Sequence, residues 1–162
     1  MAYLLDSNVF IQAKNLHYGF DFCPAFWDWI DTAHAAGSVF SVDGVRTELL
    51  SGADALSTWA QQRGSSFFLQ PDASPLGSLQ RASVWVSGAG YEPAAVATFF
   101  QIADLYLVAQ ALTGGHTAVT HEVPSTSTKR IKIPDACLGL GLRYVTPFEM
   151  LRTEQARFVL RS

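Results

Sequence analysis

Four acidic residues lie where a charged side chain is unexpected. Asp6 comes directly after a short apolar segment, and Glu122 closely follows another as Val-Thr-His-Glu at 119–122. Asp104 lies within a segment that is apolar almost all round. Glu48 lies on a predicted helix, beside its apolar side rather than opposite it. Because a buried carboxylate costs several kcal/mol unless it is paired, hydrogen-bonded or bound to a metal, these acids are the first candidates for chemistry.

Each of these acids also has an ordinary structural explanation. Asp6 suits the N-cap of a first helix, and Glu122 suits a turn. Glu48 suits a partly exposed helix position, and Asp104 suits an N-cap after a helix break near Gln101. We favour a functional role for Asp104, because the two residues before it read as part of the same helix. For Glu48 the two interpretations are evenly balanced.

The four acids gain meaning as a set, because they follow two strands or lie on helices that pack near the ends of those strands. Clustered carboxylates repel one another, and a divalent cation neutralises such a cluster. Oxygen ligands of this kind suit Mg²⁺ or Mn²⁺. One or two such ions can activate water and stabilise a leaving oxygen, so the set predicts phosphodiester hydrolysis.

The elements that must position these acids follow from the alternation of apolar and amphipathic segments, which predicts an α/β domain with a mostly parallel sheet. Strands are expected at 2–5, 38–42, 67–69, 118–120 and 143–145. A first helix is expected to begin near 9, and further helices are expected at 24–37, 44–51, 53–63, 76–86, 93–100, 102–113, 134–141 and 147–160. Asp43 is the expected N-cap of the 44–51 helix, and Pro- or Gly-bearing breaks are expected on both sides of the 76–86 helix.

Composition bounds the class of protein. The chain has 162 residues, of which 49% are hydrophobic and 15% charged, and its net charge is −3. These values predict one folded domain over 1–162 rather than a disordered chain. A broad basic face that wraps duplex DNA is disfavoured, whereas an acidic site that works through bound cations is not.

The sequence also predicts a compartment. No basic leader precedes the first apolar residues, so no signal peptide is expected. The long apolar stretch 94–119 is interrupted by Asp104 and reads as a buried helix rather than a membrane span. Cys23 and Cys137 form no metal-binding pair. We therefore expect a soluble cytoplasmic protein with reduced thiols.

Four segments in order resemble the motifs of the PIN-domain nucleases. The run 3–10, Tyr-Leu-Leu-Asp-Ser-Asn-Val-Phe, resembles the opening strand and Asp of that family. The run 45–50 around Glu48 is similar to the second acidic motif, and 103–109 around Asp104 is similar to the third. The run 119–122 resembles the strand-end motif that usually reads Thr-x-Asp. The resemblance extends from residue 3 to about 148.

The resemblance implies a three-layer α/β/α sandwich and a metal-dependent endoribonuclease that uses Mg²⁺ or Mn²⁺. Many bacterial members are VapC-type toxins, so it also implies a cognate antitoxin protein and a homodimer. By motif match, Asp6, Glu48 and Asp104 take the three core acid positions. Ser7 or Asn8 takes the supporting polar position.

The fourth acid position departs from the family pattern, because Glu122 stands where an Asp is usual. Thr120 keeps the Thr of this motif, as a supporting polar residue. A Ser/Thr-rich basic loop then precedes a short helix, at whose start Asp135 could replace or join Glu122 as a metal ligand. For Asp135, an N-cap is the stronger interpretation.

The basic loop carries Lys129, Arg130 and Lys132 close after Glu122. These side chains suit contact with the phosphates of an RNA strand, and a solvated loop explains them equally well. Two aromatic helices, 24–36 and 93–106, carry more apolar surface than one small domain easily covers, which favours a homodimer.

Two other functions remain open from the sequence. A phosphatase with a carboxylate nucleophile would use Asp6, but that chemistry usually needs Asp-x-Asp, and Asn8 cannot donate a titrating proton. A PIN-like fold without activity would bind RNA or a protein partner, and the intact core acids argue against it.

Overall fold

Five parallel strands form the centre of the structure, a computed structural model that describes residues 2–71 and 76–160. The strands are β1 (Tyr3–Leu5), β2 (Val39–Val42), β3 (Phe68–Leu69), β4 (Thr117–Val119) and β5 (Tyr144–Val145). They lie in the order β3-β2-β1-β4-β5, all parallel. In register, Tyr3 of β1 is opposite Val39 on one side and Thr117 on the other. The five predicted strands and the parallel sheet are confirmed.

Helices cover the sheet and complete a three-layer α/β/α sandwich. In the described residues they are α1 (Ser7–Gln12), continued by a π-helical turn (Ala13–His17), α2 (Pro24–Ala35), α3 (Asp43–Leu50), α4 (Ala55–Gln61), α5 (Leu76–Gly88), α6 (Pro93–Gln101), α7 (Ala103–Gly114), α8 (Ile133–Leu140) and α9 (Pro147–Thr153). Pro begins four of them at the first or second position, where its missing N–H costs nothing.

The core explains why these segments become strands. Leu4, Leu5 and Val39 are fully buried in the central strands, as are Ala118 and Val119 of β4. A parallel sheet with both faces covered requires such continuous apolar segments. A second apolar cluster fills the space between α5, α6, α7 and α8. Helix α7 contributes to both clusters, so it is the central helix predicted from its composition.

Three local predictions were wrong or fall outside the described residues. Asp43 is the first residue of α3 and Val42 is the N-cap; the Asp43 carboxylate accepts a hydrogen bond from Gln70 instead. Helix α9 ends at Thr153 rather than near 160, because Gln155 adopts a positive φ of 56° that turns the chain. The break predicted before the 76–86 helix falls on 72–75, outside the described residues.

A sharp break separates α6 from α7. Ile102 is extended, with φ −105° and ψ 171°, and the two helices meet at an angle of 72°. The continuous helix expected across 102–113 is therefore wrong at its first residue. Among the described residues, no single helix has the length and apolar character needed to cross a membrane, and α6 and α7 reach that length only as this bent pair.

Most of the large apolar residues of α2 are covered within the chain. Phe26, Trp27 and Ile30 are at most 3% exposed, and Phe26 packs against Tyr18 with ring centroids 4.5 Å apart, whereas Trp29 is partly buried. The dimer expected from the aromatic surface of α2 therefore stays a prediction with less apolar surface to support it. On α6, Phe100 is 36% exposed.

Candidate active site at the carboxyl edge of the sheet

The candidate site lies where the order of strands reverses. From β1 the chain proceeds to β2 and β3 on one side, whereas β4 and β5 lie on the other side. Ligands of open parallel sheets bind at the carboxyl ends of strands, at this kind of switch point. Asp6 follows β1 and Thr120 follows β4, so both lie at that position.

Asp6 is buried and held by two hydrogen bonds. It is 5% exposed, and its Oδ1 accepts from the Ser7 N–H at 2.8 Å while its Oδ2 accepts from the Thr120 hydroxyl at 3.0 Å. Burial, followed by the negative charges of Glu122 and Glu48, raises the pKa of Asp6 from 3.8 to about 6, and the two hydrogen bonds oppose that rise. Asp6 also accepts as the N-cap of α1, so its ordinary interpretation is confirmed without excluding a role in the site.

Thr120 joins the ends of β1 and β4. Its hydroxyl donates to Asp6 and accepts from the Asn8 side-chain amide at 3.2 Å and from the Glu122 N–H at 3.0 Å. Asn8 in turn accepts the N–H of His121 at 3.1 Å. Because every one of these groups has a partner, the side chains of Asp6, Asn8 and Thr120 have fixed relative positions. Thr120 and Asn8 therefore lie where supporting polar residues were predicted.

Glu48 and Asp104 reach the site because α3 and α7 approach very closely. A Cβ added at Gly44 of α3 would lie 2.8 Å from the Cβ of Ala103 at the start of α7. Only a residue without a side chain permits this contact. Glu48 lies one turn further along α3 and is exposed to the cleft, and Asp104 directly follows Ala103.

Asp104 is not an N-cap. Ile102 occupies the cap position, and Asp104 lies in the first turn of α7, where its carboxylate accepts no hydrogen bond from the described residues. Burial, then the charges of Asp6, Glu122 and Glu48, raise the pKa of Asp104 well above its usual value; Arg130 opposes the rise. The carboxyl group thus lacks a partner that would explain its position structurally.

Glu122 has partners for both of its oxygens. Its side chain is 8% exposed; Oε1 accepts the N–H of Ile133 at 3.2 Å, and Oε2 pairs with the Arg130 guanidinium at 3.0 Å. Ile133 is the first residue of α8, so Glu122 satisfies a free N–H at that helix end. The Arg130 side chain remains 70% exposed.

One cleft of about 310 Å³ brings these residues together. It is lined by Asp6, Ser7, Asn8, Gln12, Glu48, Ile102, Asp104, His121, Glu122, Arg130 and Lys132. All four predicted acids are therefore in one place, with two of the three predicted basic side chains beside them. Clefts of this volume are typical of small-ligand sites.

Asp135 and Lys129 do not line the cleft. Asp135 lies in the first turn of α8, whose N-cap is Lys132, and both of its carboxylate oxygens accept the Ser125 N–H at 3.2 Å. It therefore ties down the loop that carries the basic residues, and neither its predicted role as a ligand nor its role as an N-cap matches this position. Lys129 lines a neighbouring cavity with Phe99.

The chemistry of the donors fits a hard divalent cation, since carboxylate oxygens are the ligands that Mg²⁺ and Mn²⁺ prefer. The mutual repulsion that raises the pKa of Asp6 and Asp104 is also the repulsion that a cation relieves. The side-chain positions are less favourable: among the described residues, no group of three or more His, Cys, Asp or Glu side chains is arranged to hold a metal ion. Glu122 is the least available donor because the Arg130 guanidinium already pairs with one of its oxygens and the Ile133 N–H bonds to the other.

Two cleft residues were missed by the sequence analysis. Gln12 is four residues after Asn8 on α1, a spacing that places both on one helix face, and this spacing was the available signal. Ile102 lines the cleft only because the backbone is extended at that residue, and no local pattern indicates it.

A family model described as a domain of unknown function, DUF4411, matches residues 3–158. The chain belongs to this family. The matched range includes all four acids and the basic loop, so the cleft is part of the DUF4411 domain. No curated protein and no solved structure matches the chain.

Proposed function

We propose that this DUF4411 domain is a metal-dependent endoribonuclease that hydrolyses phosphodiester bonds of RNA. The observation that carries the proposal is the meeting of four carboxylates in one cleft with Arg130 and Lys132 beside them. Acidic residues alone would repel a phosphodiester, whereas acids that hold a cation, with basic side chains at the rim, attract one.

Asp6, Glu48 and Asp104 would hold Mg²⁺ or Mn²⁺. The cation would supply Lewis acidity and a water of lowered pKa. Asp6 enters this role with its orientation set by Ser7 and Thr120. Asp104 enters it without competing hydrogen bonds from the described residues.

The basic side chains have the exposure that phosphate contact requires. Arg130 is anchored by Glu122 yet 70% exposed, so its remaining N–H groups are free to meet a phosphate oxygen. Glu122 is thus a positioning residue for Arg130 and for the start of α8. This assignment replaces its predicted role as a fourth metal ligand.

The phosphatase alternative is weaker. A carboxylate nucleophile at Asp6 needs a nearby acid that protonates the leaving group. The residue two positions on, Asn8, is held by Thr120 and His121 and carries no titrating proton. The proposal of an inactive binding module is separated from the nuclease by the experiment below.

By the resemblance to VapC-type toxins, we include in the proposal that the protein is the cytoplasmic toxin of a toxin–antitoxin pair and forms a homodimer. Expression of the wild-type chain alone should then arrest bacterial growth, and Asp104→Asn should abolish the arrest. In the opposite outcome, the bacteria keep growing although they contain soluble wild-type protein that cleaves RNA in vitro. That result would contradict the toxin role and leave the nuclease activity as proposed.

The nuclease itself is tested with single-stranded RNA, Mn²⁺ and three proteins. Wild type should cut the RNA and stop when EDTA is in excess, and Asp104→Asn should lose most of the cleavage. Asp28→Asn, an exposed acid on α2, is the matched control and should cut like wild type. Cleavage that continues in excess EDTA would contradict the metal dependence. Calorimetric binding of Mn²⁺ without any cleavage would favour the inactive binding module.

A further inference from the structure

A second cavity adjoins the acid cleft. It has a volume of about 320 Å³ and lies between the carboxyl ends of β2 and β3 and the start of α7. Glu48 and Ile102 line both the acid cleft and this side cavity, so the two cavities lie on either side of those residues. A strand whose phosphate lies in the cleft therefore has the side cavity within reach of a neighbouring base.

We propose that the side cavity binds the nucleobase next to the cleaved phosphate and favours a base that carries an exocyclic amino group. This inference rests on the proposed nuclease function. It adds a specificity subsite to the same strand-end edge of the sheet.

The charges of the side cavity exclude a phosphate. Its described lining residues include the carboxylates of Asp43 and Glu48 and contain no Lys or Arg. An anionic group would therefore be repelled, whereas an uncharged ring is accepted. Apolar walls, to which Leu69 and Ile102 contribute, suit the faces of such a ring, and Tyr106 adds an aromatic side chain on which a base can stack.

Three polar residues of the side cavity are joined by hydrogen bonds. Gln110 is 5% exposed; its Nε2 donates to the Gln70 carbonyl at 3.3 Å, and the Gln70 amide donates to the Asp43 carboxylate at 3.3 Å. The Gln110 Oε1 accepts no hydrogen bond from the described residues. A buried side chain that lines the cavity thus presents a free acceptor beside a carboxylate.

This arrangement has more acceptors than donors. Adenine, cytosine and guanine each present an exocyclic NH₂ that donates to such acceptors, as in the pairing of acidic side chains with cytosine N4. Uracil has no exocyclic NH₂: it presents carbonyl oxygens there, and its one donor on that edge, the N3–H, satisfies at most one of these acceptors. A buried acceptor left without a donor is costly, so uracil is disfavoured.

The first measurement is independent of catalysis. Metal-free wild-type protein with ¹⁵N-labelled glutamine is titrated with adenosine, cytidine, guanosine and uridine, and the Gln110 side-chain amide signal is followed by NMR. The three amino-bearing nucleosides should shift it, and uridine should bind at least several-fold more weakly. Tyr106→Ala should weaken binding roughly 5- to 150-fold, the range found when one base–aromatic stack is removed. Tyr91→Ala, a half-buried tyrosine outside the cavity, should leave binding unchanged.

The second measurement maps cleavage sites in a random-sequence RNA. Wild type should exclude uracil at one position beside the cut, and Tyr106→Ala should lose that bias. Cleavage without bias, together with no nucleoside shift at Gln110, would overturn the side-cavity proposal and leave the nuclease intact. Nucleoside binding without any RNA cleavage would support the cavity as a nucleobase site and overturn the nuclease. If the Gln110 amide signal shifts when a lysine peptide is added but with none of the nucleosides, the cavity binds a cationic ligand and the proposal is overturned.

Discussion

The substitution Asp6→Asn should make the metal-free protein more stable at pH 8 and less stable at pH 4. Asp6 has a pKa of about 6 in the folded protein, above the value of 3.8 for a free side chain. A proton on Asp6 therefore favours the folded state. The stability that this proton contributes is complete below pH 3.8 and is lost as the pH rises through 6. Asn cannot ionise, so it avoids this loss.

The magnitude follows from the burial and the hydrogen bonds of Asp6. A rise in pKa from 3.8 to about 6 corresponds to about 3 kcal/mol, at 1.36 kcal/mol per pKa unit. The Asn amide keeps the acceptor for the Ser7 N–H but loses the acceptor for the Thr120 hydroxyl, which costs about 1 kcal/mol. The net gain at pH 8 is about 2 kcal/mol. At pH 4, just above the unfolded pKa of 3.8, wild type has already lost about half a kcal/mol of the stability from this proton, so the net effect is a loss of about half a kcal/mol.

Thermal unfolding in EDTA measures both values. In a chain of this length 1 kcal/mol moves Tm by about 2–4 °C, so Asp6→Asn should raise Tm by about 4–8 °C at pH 8 and lower it by about 1–2 °C at pH 4. Asp28→Asn, which removes an exposed acid, should change Tm little at either pH. If Asp6→Asn were destabilising at pH 8, or equally stabilising at both pH values, the repulsion deduced for the cleft would be wrong.

Three further substitutions test how the fold positions the acids and the basic rim. Gly44→Ala places a methyl group 2.8 Å from the Cβ of Ala103, so it should lower the free energy of unfolding by about 1–3 kcal/mol and reduce RNA cleavage. Gly88→Ala is the control, because a methyl group there meets no atom within 4 Å, and it should change neither quantity in the same assays. Thr120→Val removes three hydrogen bonds at the centre of the site and should cost about 1–3 kcal/mol by urea unfolding, whereas Thr120→Ser should retain most of the stability. Arg130→Gln should flatten the salt dependence of RNA binding, with a decrease in slope of about 0.7 for each phosphate that Arg130 neutralises; an unchanged slope would remove Arg130 from the interface.

The strands were predictable because the information is local. Each is a short apolar segment, and both faces of a parallel sheet are buried, so composition alone marks them. The end of α9 was not predictable, because its cause is distant in sequence. The chain turns at Gln155, and Phe158 then packs against Tyr18 and Phe26, with centroids 5.6 and 6.1 Å apart.

The difference between local and distant causes also explains why the acids of the cleft were predicted from the sequence and their contacts were not. Asp6 and Glu122 were visible as polar residues after apolar strands, and parallel strands must bring such residues to one edge. The close contact of Gly44 with Ala103 joins residues far apart in the chain, and no spacing indicates it. The partnership of Glu122 with Arg130 depends on the path of the intervening loop, which Asp135 fixes through Ser125. The position of an acid at a strand end can be predicted from its neighbours in sequence, whereas its contact partners depend on residues far away in the chain.

The cleft carries an energetic cost that bears on the proposed function. At neutral pH the charge on Asp6 lowers the free energy of unfolding by about 3 kcal/mol. Domains of this size have a total free energy of unfolding of about 5–15 kcal/mol. Asp104 adds to that cost, because burial and the same acidic neighbours oppose the charge on its carboxylate. A capping role explains Asp6 only in part, since Asn would cap equally well without the charge, and no cap explains Asp104. A ligand that binds only the folded state adds stability that increases with the logarithm of its concentration divided by its Kd, so the repulsion is tolerable where a cation is bound. The cost of keeping these two acids is therefore the cost that the proposed cation would offset.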